Sequence, residues 1–288
     1  MMMSEAIDTS YEPFSHEPEY VELNRGFLEA LELEGPLRVL DLACGTCTLT
    51  SLLLDQVARQ AAIIAVDLSR RSLELARTEL GELEAPARVD LVEATADRLP
   101  VIADFADLVI MGNAIHCLPD LDVFLEEVVR TLRPGGIFAF NSSFYAGTFV
   151  PGTESFYDEW MKEAARYVLQ RDREQKAAGL PGVQRRKGRA DPAFSRRWLS
   201  PAEFRALLER HGFEVFHLAE RTVMMSRHAF ETVGAYEGLA AVLLSGYPVD
   251  LACEALTSSV ASGLDKVGLT EVPRYWLEVA AVKTEGWE

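Results

Sequence analysis

Two carboxylates and a run of small residues carry the most chemically suggestive pattern in the chain. Asp41, Ala43 and Gly45 fall together in Val39-Leu40-Asp41-Leu42-Ala43-Cys44-Gly45-Thr46-Cys47, and Asp67 closes the next apolar run. Small residues at 43 and 45 let a ligand lie against bare backbone, in the crevice beyond a strand's carboxyl end. A carboxylate ending the following strand is placed to accept both hydroxyls of a ribose. The same stretch holds a second reading. Cys44 and Cys47 form a C-x-x-C at a helix N-terminus, where a thiolate is stabilised. Against redox or zinc chemistry, no second C-x-x-C exists and four cysteines make no disulfide framework, which leaves two small packed cysteines.

The elements that must position these residues follow from apolar periodicity. A helical pattern runs from about Glu17 to Leu33. Strands are predicted over Leu37–Leu42, Ala61–Val66, Arg88–Val92, Phe105–Met111 and Ile137–Phe140. Helices are predicted over Leu49–Ala58, Arg70–Leu80 and Leu121–Leu132, with Arg133-Pro134-Gly135-Gly136 as a turn before the fifth strand. Strands alternating with helices at this spacing imply βαβ units and a parallel sheet covered on both faces. Residues 142–200 break the alternation with aromatics and one long charged helix. It resumes with a helix at Pro201–His211 capped by Ser200, and a strand from Phe213 to about Arg221. Two helices over 226–264, broken at Gly246-Tyr247-Pro248, precede a last strand at Trp276–Val282.

With these elements in place, the chain resembles the class I S-adenosylmethionine (SAM)-dependent methyltransferases, in the small-molecule, type 11/UbiE-like branch. Their first motif, Asp-x-Ala/Gly-x-Gly-x-Gly, matches Asp41, Ala43 and Gly45. Glu93-Ala94-Thr95-Ala96-Asp97-Arg98-Leu99-Pro100 is similar to their adenine-side loop. Asp107 to Asp120 is similar to their fourth strand and turn, and Leu132-Arg133-Pro134-Gly135-Gly136 to their entry into strand five. The resemblance covers residues 37–141. It implies an α/β fold with a Rossmann-like, seven-stranded, mostly parallel sheet, helices on both faces and helical cap insertions. It also implies SAM as cofactor, held by Asp41, Ala43, Gly45, Thr46, Asp67, Leu68, Thr95, Ala96 and Asn113. Tyr20 and Arg25 would join them from an N-terminal lid, Arg25 at the cofactor carboxylate. Two departures bear on affinity: Cys47 stands at the third glycine, where it would narrow the pocket floor, and Thr95 replaces the usual adenine-loop acid.

A sulfonium methyl is already activated, so the remaining tasks are in-line alignment, exclusion of water and, for a hydroxyl or acidic carbon, removal of a proton. His116 is the candidate base, with pocket wall as the alternative. Glu154 is a second catalytic candidate, beside rings that suit C-methylation. Tyr11, Tyr145, Tyr157 and Trp160 would line a planar acceptor, or else form a cap's core. Residues 166–197 carry ten basic side chains against three acidic ones, a net +7 that leaves −24 on the rest. This is either a solvated helix and loop or a clamp for an anionic or carrier-bound acceptor, with Arg185, Arg186 and Arg189 as its contacts.

The expected organisation is a helical lid (1–36), a SAM-binding core (37–141), an acceptor-site cap (142–200) and the rest of the core (201–288). A helical insertion at 222–274 would roof the pocket or form a homodimer face. A net charge of −17 argues against a duplex DNA or RNA substrate and against an anionic membrane surface. The turn Gly112-Asn113-Ala114-Ile115 also lacks the Asn/Asp-Pro-Pro-aromatic sequence that holds a flipped base. No apolar run reaches spanning length, Met1-Met2-Met3-Ser4-Glu5 has no secretory character, and no metal site is expected, so a cytoplasmic enzyme follows. The activity expected is O- or C-methylation of a small, anionic secondary metabolite in natural-product biosynthesis. The competing class is a SAM-fold protein that binds the cofactor without transferring methyl, as a different catalyst or a sensor. An NAD oxidoreductase would need G-x-G-x-x-G, which Ala43, Gly45 and Leu49 do not provide.

Overall fold

The computed structural model describes residues 12–34, 37–56, 61–81, 88–185 and 197–284. Tyr11, Arg186 and Arg189 lie outside them. The chain divides into two compact units, a core formed by the described residues of Pro18–Thr148, Arg197–Thr222 and Tyr275–Glu288, and a helical unit formed by the remainder. The expected lid is therefore cut between 17 and 18. Helix α1 (Glu12–Ser15) falls in the helical unit and α2 (Pro18–Glu29) in the core.

The core alternates as its sequence requires: β1 (Arg38–Leu42), α3 (Thr48–Gln56), β2 (Ala62–Asp67), α4 (Arg70–Gly81), β3 (Arg88–Glu93), β4 (Ala106–Gly112), α5 (Leu121–Thr131) and β5 (Leu132–Ser142). The sheet has seven strands in the order β3-β2-β1-β4-β5-β7-β6, with β6 at Phe213–Ser226 and β7 at Glu271–Lys283. Strands β1 to β5 pair in parallel and β7 runs antiparallel to β5. The chain leaves β1 toward β2 on one side and returns to β4 on the other. That reversal opens a crevice at the carboxyl edge of β1 and β4, where open α/β sheets bind ligands.

Strand alternation sends Leu40, Leu42, Val109, Met111, Phe138 and Phe140 to one face. There they pack with Phe124, Leu125 and Val128 of α5 and with Phe204 and Leu208 of α7 (Pro201–Arg210). Val39, Ile63, Leu108 and Ile110 pack the other face with Leu49, Leu52 and Leu53 of α3 and with Phe27 and Leu28 of α2. Asp120 caps α5 by accepting from the Asp122 and Val123 N–H groups, and Ser200 caps α7 in a reciprocal box with Glu203.

Two elements differ from expectation. Arg133-Pro134-Gly135-Gly136 is not a turn ahead of β5 but a bulge inside it. Ala106 pairs with Leu132 and Leu108 with Ile137, so the surplus residues loop out, with Gly135 at φ +74°. After β6 the described residues form three helices rather than two: α8 (Arg227–Ala235), α9 (Glu237–Leu243) and α10 (Val249–Val267). Tyr236 is extended at the extra break. Its ring folds so closely over Gly238 that a Cβ there would meet it at 2.7 Å.

In the helical unit, α6 (Glu154–Ala177) packs along α10. Gly263 lets the helices approach, since a Cβ on it would lie 3.1 Å from the Trp160 Cα. Trp160 donates its indole N–H to the Leu256 carbonyl at 2.8 Å, stacks on Phe156 and meets Phe230 edge-on. Trp160→Ala removes a large buried side chain and its hydrogen bond, a loss of about 3–5 kcal/mol. Thermal denaturation should show a clear drop in midpoint; an unchanged midpoint would contradict this packing account.

Candidate active site

Asp41 sits one residue before the end of β1 and is almost fully buried. Its Oδ2 accepts from the Thr50 hydroxyl on α3 at 2.7 Å, while Oδ1 has no partner among the described residues. Burial, with the charge of Asp67 adding to it, pushes the Asp41 carboxyl up to about 7. At the end of β2, Asp67 accepts from Gly45 N–H at 2.8 Å and Ser69 N–H at 2.7 Å. These bonds fix the carboxylate across the loop and leave it acceptor capacity. Burial raises its proton affinity too. Two partly desolvated carboxylates in one crevice disfavour each other's charge, and a cationic ligand relieves both.

The loop between β1 and α3 is shaped for close approach. A Cβ on Gly45, at φ +55°, would meet nothing within 4 Å. Ala43 (φ +51°) and Cys47 (φ +69°) in the loop and Asn113 (φ +47°) just past β4 also hold left-handed backbone. Strain in non-glycine residues gathers at ligand sites. Cys47 explains why glycine suits its position, yet its side chain does not reach the pocket floor. It is fully buried beside Cys44, Ala65, Leu73 and Ala76, between β2 and α4. Cys47 and burial push the Cys44 thiol up, the opposite of what a reactive thiolate needs.

Three asparagines tie the carboxyl edge of the sheet to α2. Asn24 donates to the Tyr20 carbonyl at 2.8 Å, and Asn141 at the end of β5 donates to Asn24 Oδ1 at 2.8 Å. Asn141 Oδ1 accepts from Asn113 N–H at 3.0 Å and from the Trp276 indole at 3.3 Å. Asn113 Oδ1 accepts from Ser143 N–H at 2.8 Å, which fixes its amide so that Nδ2 is buried without a partner among the described residues. Tyr20 is carried by the same ladder. Its hydroxyl reaches within 3.3 Å of where a Gly112 Cβ would stand, and burial drives the phenol's proton affinity up.

Thus Asp41, Ala43, Gly45, Asp67, Asn113 and Tyr20 converge at the crevice. Thr46 is buried in the loop, Thr95 and Ala96 follow β3 with Thr95 exposed, and Leu68 stands 70 % exposed beside Asp67, an apolar surface ready to be covered. His116 lies in a 3₁₀ turn, Ile115–Cys117, just past β4, with its ring 4.2 Å from that of Phe144.

Other expected site residues do not join them. Arg25 faces Asp55 at 4.0 Å, in the last turn of α3, roughly 10 Å of helix away from the loop end. Glu154 is exposed and accepts from Gly152 N–H at 2.8 Å, serving its own helix terminus. Tyr145 is fully buried in the core and donates to Glu220 at 2.6 Å. Trp160 and Tyr157 belong to the aromatic core of the helical unit, Tyr157 meeting Phe149 and Phe156 edge-on. Arg185 lies over the Tyr247 ring at 5.2 Å. Much of the basic stretch is met on its own surface: Arg166 by Glu163, Arg171 by Glu254, Lys176 by Asp172 and Arg197 by Glu203. Asn24 was overlooked in the sequence, although an asparagine on the apolar face of an amphipathic helix signals a buried partner.

Sheet order, the carboxylate closing β2 and the small-residue loop give the α/β fold seen in SAM-dependent methyltransferases. Residues 40–140 match the sequence model of the family described as a methyltransferase domain. A demethylmenaquinone methyltransferase of Lactococcus lactis is 35 % identical over 100 residues, 35 % of this chain and 39 % of that protein. A ubiquinone/menaquinone biosynthesis C-methyltransferase UbiE of Nitrosospira multiformis is 34 % identical over 99 residues, 34 % of this chain and 40 % of that one. The chain thus matches about two fifths of these relatives' length. The solved SAM-dependent methyltransferase of Aquifex aeolicus shares the fold, with a TM-score of 0.56 at 16 % identity over 97 % of this chain and 100 % of that one.

SAM is the cofactor that the match to methyltransferases implies, and the residues fit it. The unpartnered Asp41 oxygen, the open cradle over Gly45 and the paired carboxylates suit a cationic nucleoside. A cation binds the ionised form of Asp41 best, so affinity for labelled SAM should be flat above pH 7 and weaken about tenfold per unit below it. Equilibrium dialysis between pH 5.5 and 8 reads this directly. A flat profile would remove Asp41 from the binding electrostatics. Among the described residues no cluster of metal-ligating side chains occurs, and no helix is long and apolar enough to cross a membrane.

Proposed function

We propose that this chain is a SAM-dependent methyltransferase acting on a carbon or oxygen of a planar, oxygenated small molecule. The observation that carries the reading is the convergence of Asp41, Gly45 and Asp67 at the β1/β4 crevice, with His116 and Phe144 beside it. The names of the relatives support an acceptor of the quinol kind. An anionic acceptor is consistent with the basic stretch, though its described side chains are largely paired.

The bound cofactor supplies an activated methyl group. Asp67 would hold the ribose hydroxyls and Asp41 would balance the positive charge. The asparagine ladder fixes the floor of the crevice, so little reorganisation is needed on binding. Phe144 and His116 offer an aromatic wall for a flat ring. His116 would take the proton that the acceptor carbon or hydroxyl releases on methylation.

The test is methyl transfer from labelled SAM to a panel of 1,4-dihydroxynaphthalenes and phenolic acids, run with the wild type and His116→Ala. Label in the organic extract, reduced at least tenfold in the variant, is the expected result. A wild type that binds S-adenosylhomocysteine (SAH) yet labels no member of the panel and nothing in a cell extract would establish the non-methylating alternative.

A further inference from the structure

Beyond the cofactor residues, one side chain near the expected acceptor end presents a donor that the fold leaves unused. Trp198 lies in the core unit, just ahead of α7, and its segment is pinned beside the turn after β5 by Ala146 N–H donating to the Leu199 carbonyl at 2.9 Å. Its ring meets Phe144 edge-on, 5.7 Å between centroids, and Phe144 in turn contacts His116 at 4.2 Å. Phe144 is itself fixed by its N–H donating to the Ser142 hydroxyl at 3.0 Å. The three rings therefore form one wall at the carboxyl edge of β4 and β5. The Trp198 indole N–H is buried and has no hydrogen-bond partner among the described residues. An indole nitrogen only donates, and a donor kept from water without an acceptor is unfavourable until one arrives.

We propose that Trp198 is a specificity-determining residue that donates its indole N–H to an oxygen of the methyl acceptor, selecting oxygenated planar rings over bare hydrocarbon ones. The assignment rests on the methyltransferase reading above. It adds the requirement that the acceptor present a carbonyl, hydroxyl or oxyanion toward α7 while its ring lies on Phe144. Asn113 Nδ2, a second unpartnered donor among the described residues, lies just past the end of β4, three residues before His116.

The test compares 1-naphthol with 1-methylnaphthalene, rings of equal size with and without an oxygen, binding to SAH-saturated protein. Wild type should prefer 1-naphthol by at least tenfold, and Trp198→Phe should bring the two affinities within twofold while SAH affinity stays unchanged. In ¹⁵N-labelled wild type, the Trp198 indole N–H resonance, one of four in the chain, should shift downfield with 1-naphthol and stay put with 1-methylnaphthalene. That measurement stands even if the variant folds poorly. No preference in the wild type, a preference that survives Trp198→Phe, or an unmoved indole resonance overturns the assignment. Failure of the wild type to bind SAH overturns the methyltransferase reading instead.

Discussion

Asp41→Asn should make the protein more stable at pH 8 and unable to bind SAM well. The ordinary carboxyl value of 3.8 rises to about 7 in the fold because Asp41 is buried. The folded state therefore holds the Asp41 proton more tightly than the unfolded chain does. The stability linked to it is complete below 3.8 and declines by about 1.4 kcal/mol per unit until pH passes about 7. At pH 8 the accumulated loss is about 4 kcal/mol, which asparagine avoids by carrying no charge. Thr50 can still donate to the amide oxygen. For a chain of this size the midpoint should rise by about 5–10 °C, and the gain should shrink as pH falls toward 5. Cofactor affinity should fall at least hundredfold in the same variant. Scanning calorimetry across pH, paired with SAM binding, decides the matter. A variant that melts lower at pH 8 would show that the buried charge is not a liability.

The second large effect is at Asp67. Its replacement by alanine removes the acceptor for Gly45 N–H and Ser69 N–H, and with it the carboxylate proposed to hold the ribose. Hydrogen bonds to a charged group contribute about 1.5–3 kcal/mol each. Two ribose hydroxyls therefore account for roughly a 10²- to 10⁴-fold change in affinity. Calorimetric titration should show micromolar SAH binding in the wild type and a loss of at least hundredfold in Asp67→Ala. The assignment is sharper with a second ligand: an SAH analogue lacking the 2′-hydroxyl should be disfavoured by the wild type and scarcely distinguished by the variant. Affinities within threefold across all four combinations would place the ribose elsewhere.

The parts of the site that could be read from sequence share a property. Asp41, Gly45 and Asp67 are brought together by local geometry, a strand end and the turn that follows it, so their spacing in the sequence already puts them side by side. The alternation of short apolar runs with amphipathic helices likewise showed a mostly parallel sheet. What could not be read depends on partners far away in the chain. Tyr145 is an ordinary candidate for a pocket until Glu220, 75 residues on, takes its hydroxyl. Trp160 looks the same until Leu256, 96 residues on, accepts its indole hydrogen. Aromatic residues build cores and pockets with equal ease, and composition does not separate the two uses. Arg25 was misplaced for a different reason. Helical periodicity says which face it shares, but not that Asp55 in the last turn of α3 stands 4.0 Å from it. The bulge in β5 was hidden because proline and two glycines spell a turn whether or not a strand continues past them.

The sheet order also sets a timetable for the nascent chain. Strands β1 to β5 can complete their parallel ladder once residue 142 has emerged, whereas β6 has its place in the sheet only beside β7. The end of β7 is made about 57 residues after the end of β6, roughly 3–11 s later at ~5–20 residues per second. For that interval β6 carries Phe216 and an unpaired backbone edge with no strand to join. The newly made protein is therefore most prone to self-association late in synthesis. Truncation before Glu271 should leave that edge open permanently, in a chain whose first five strands are already paired.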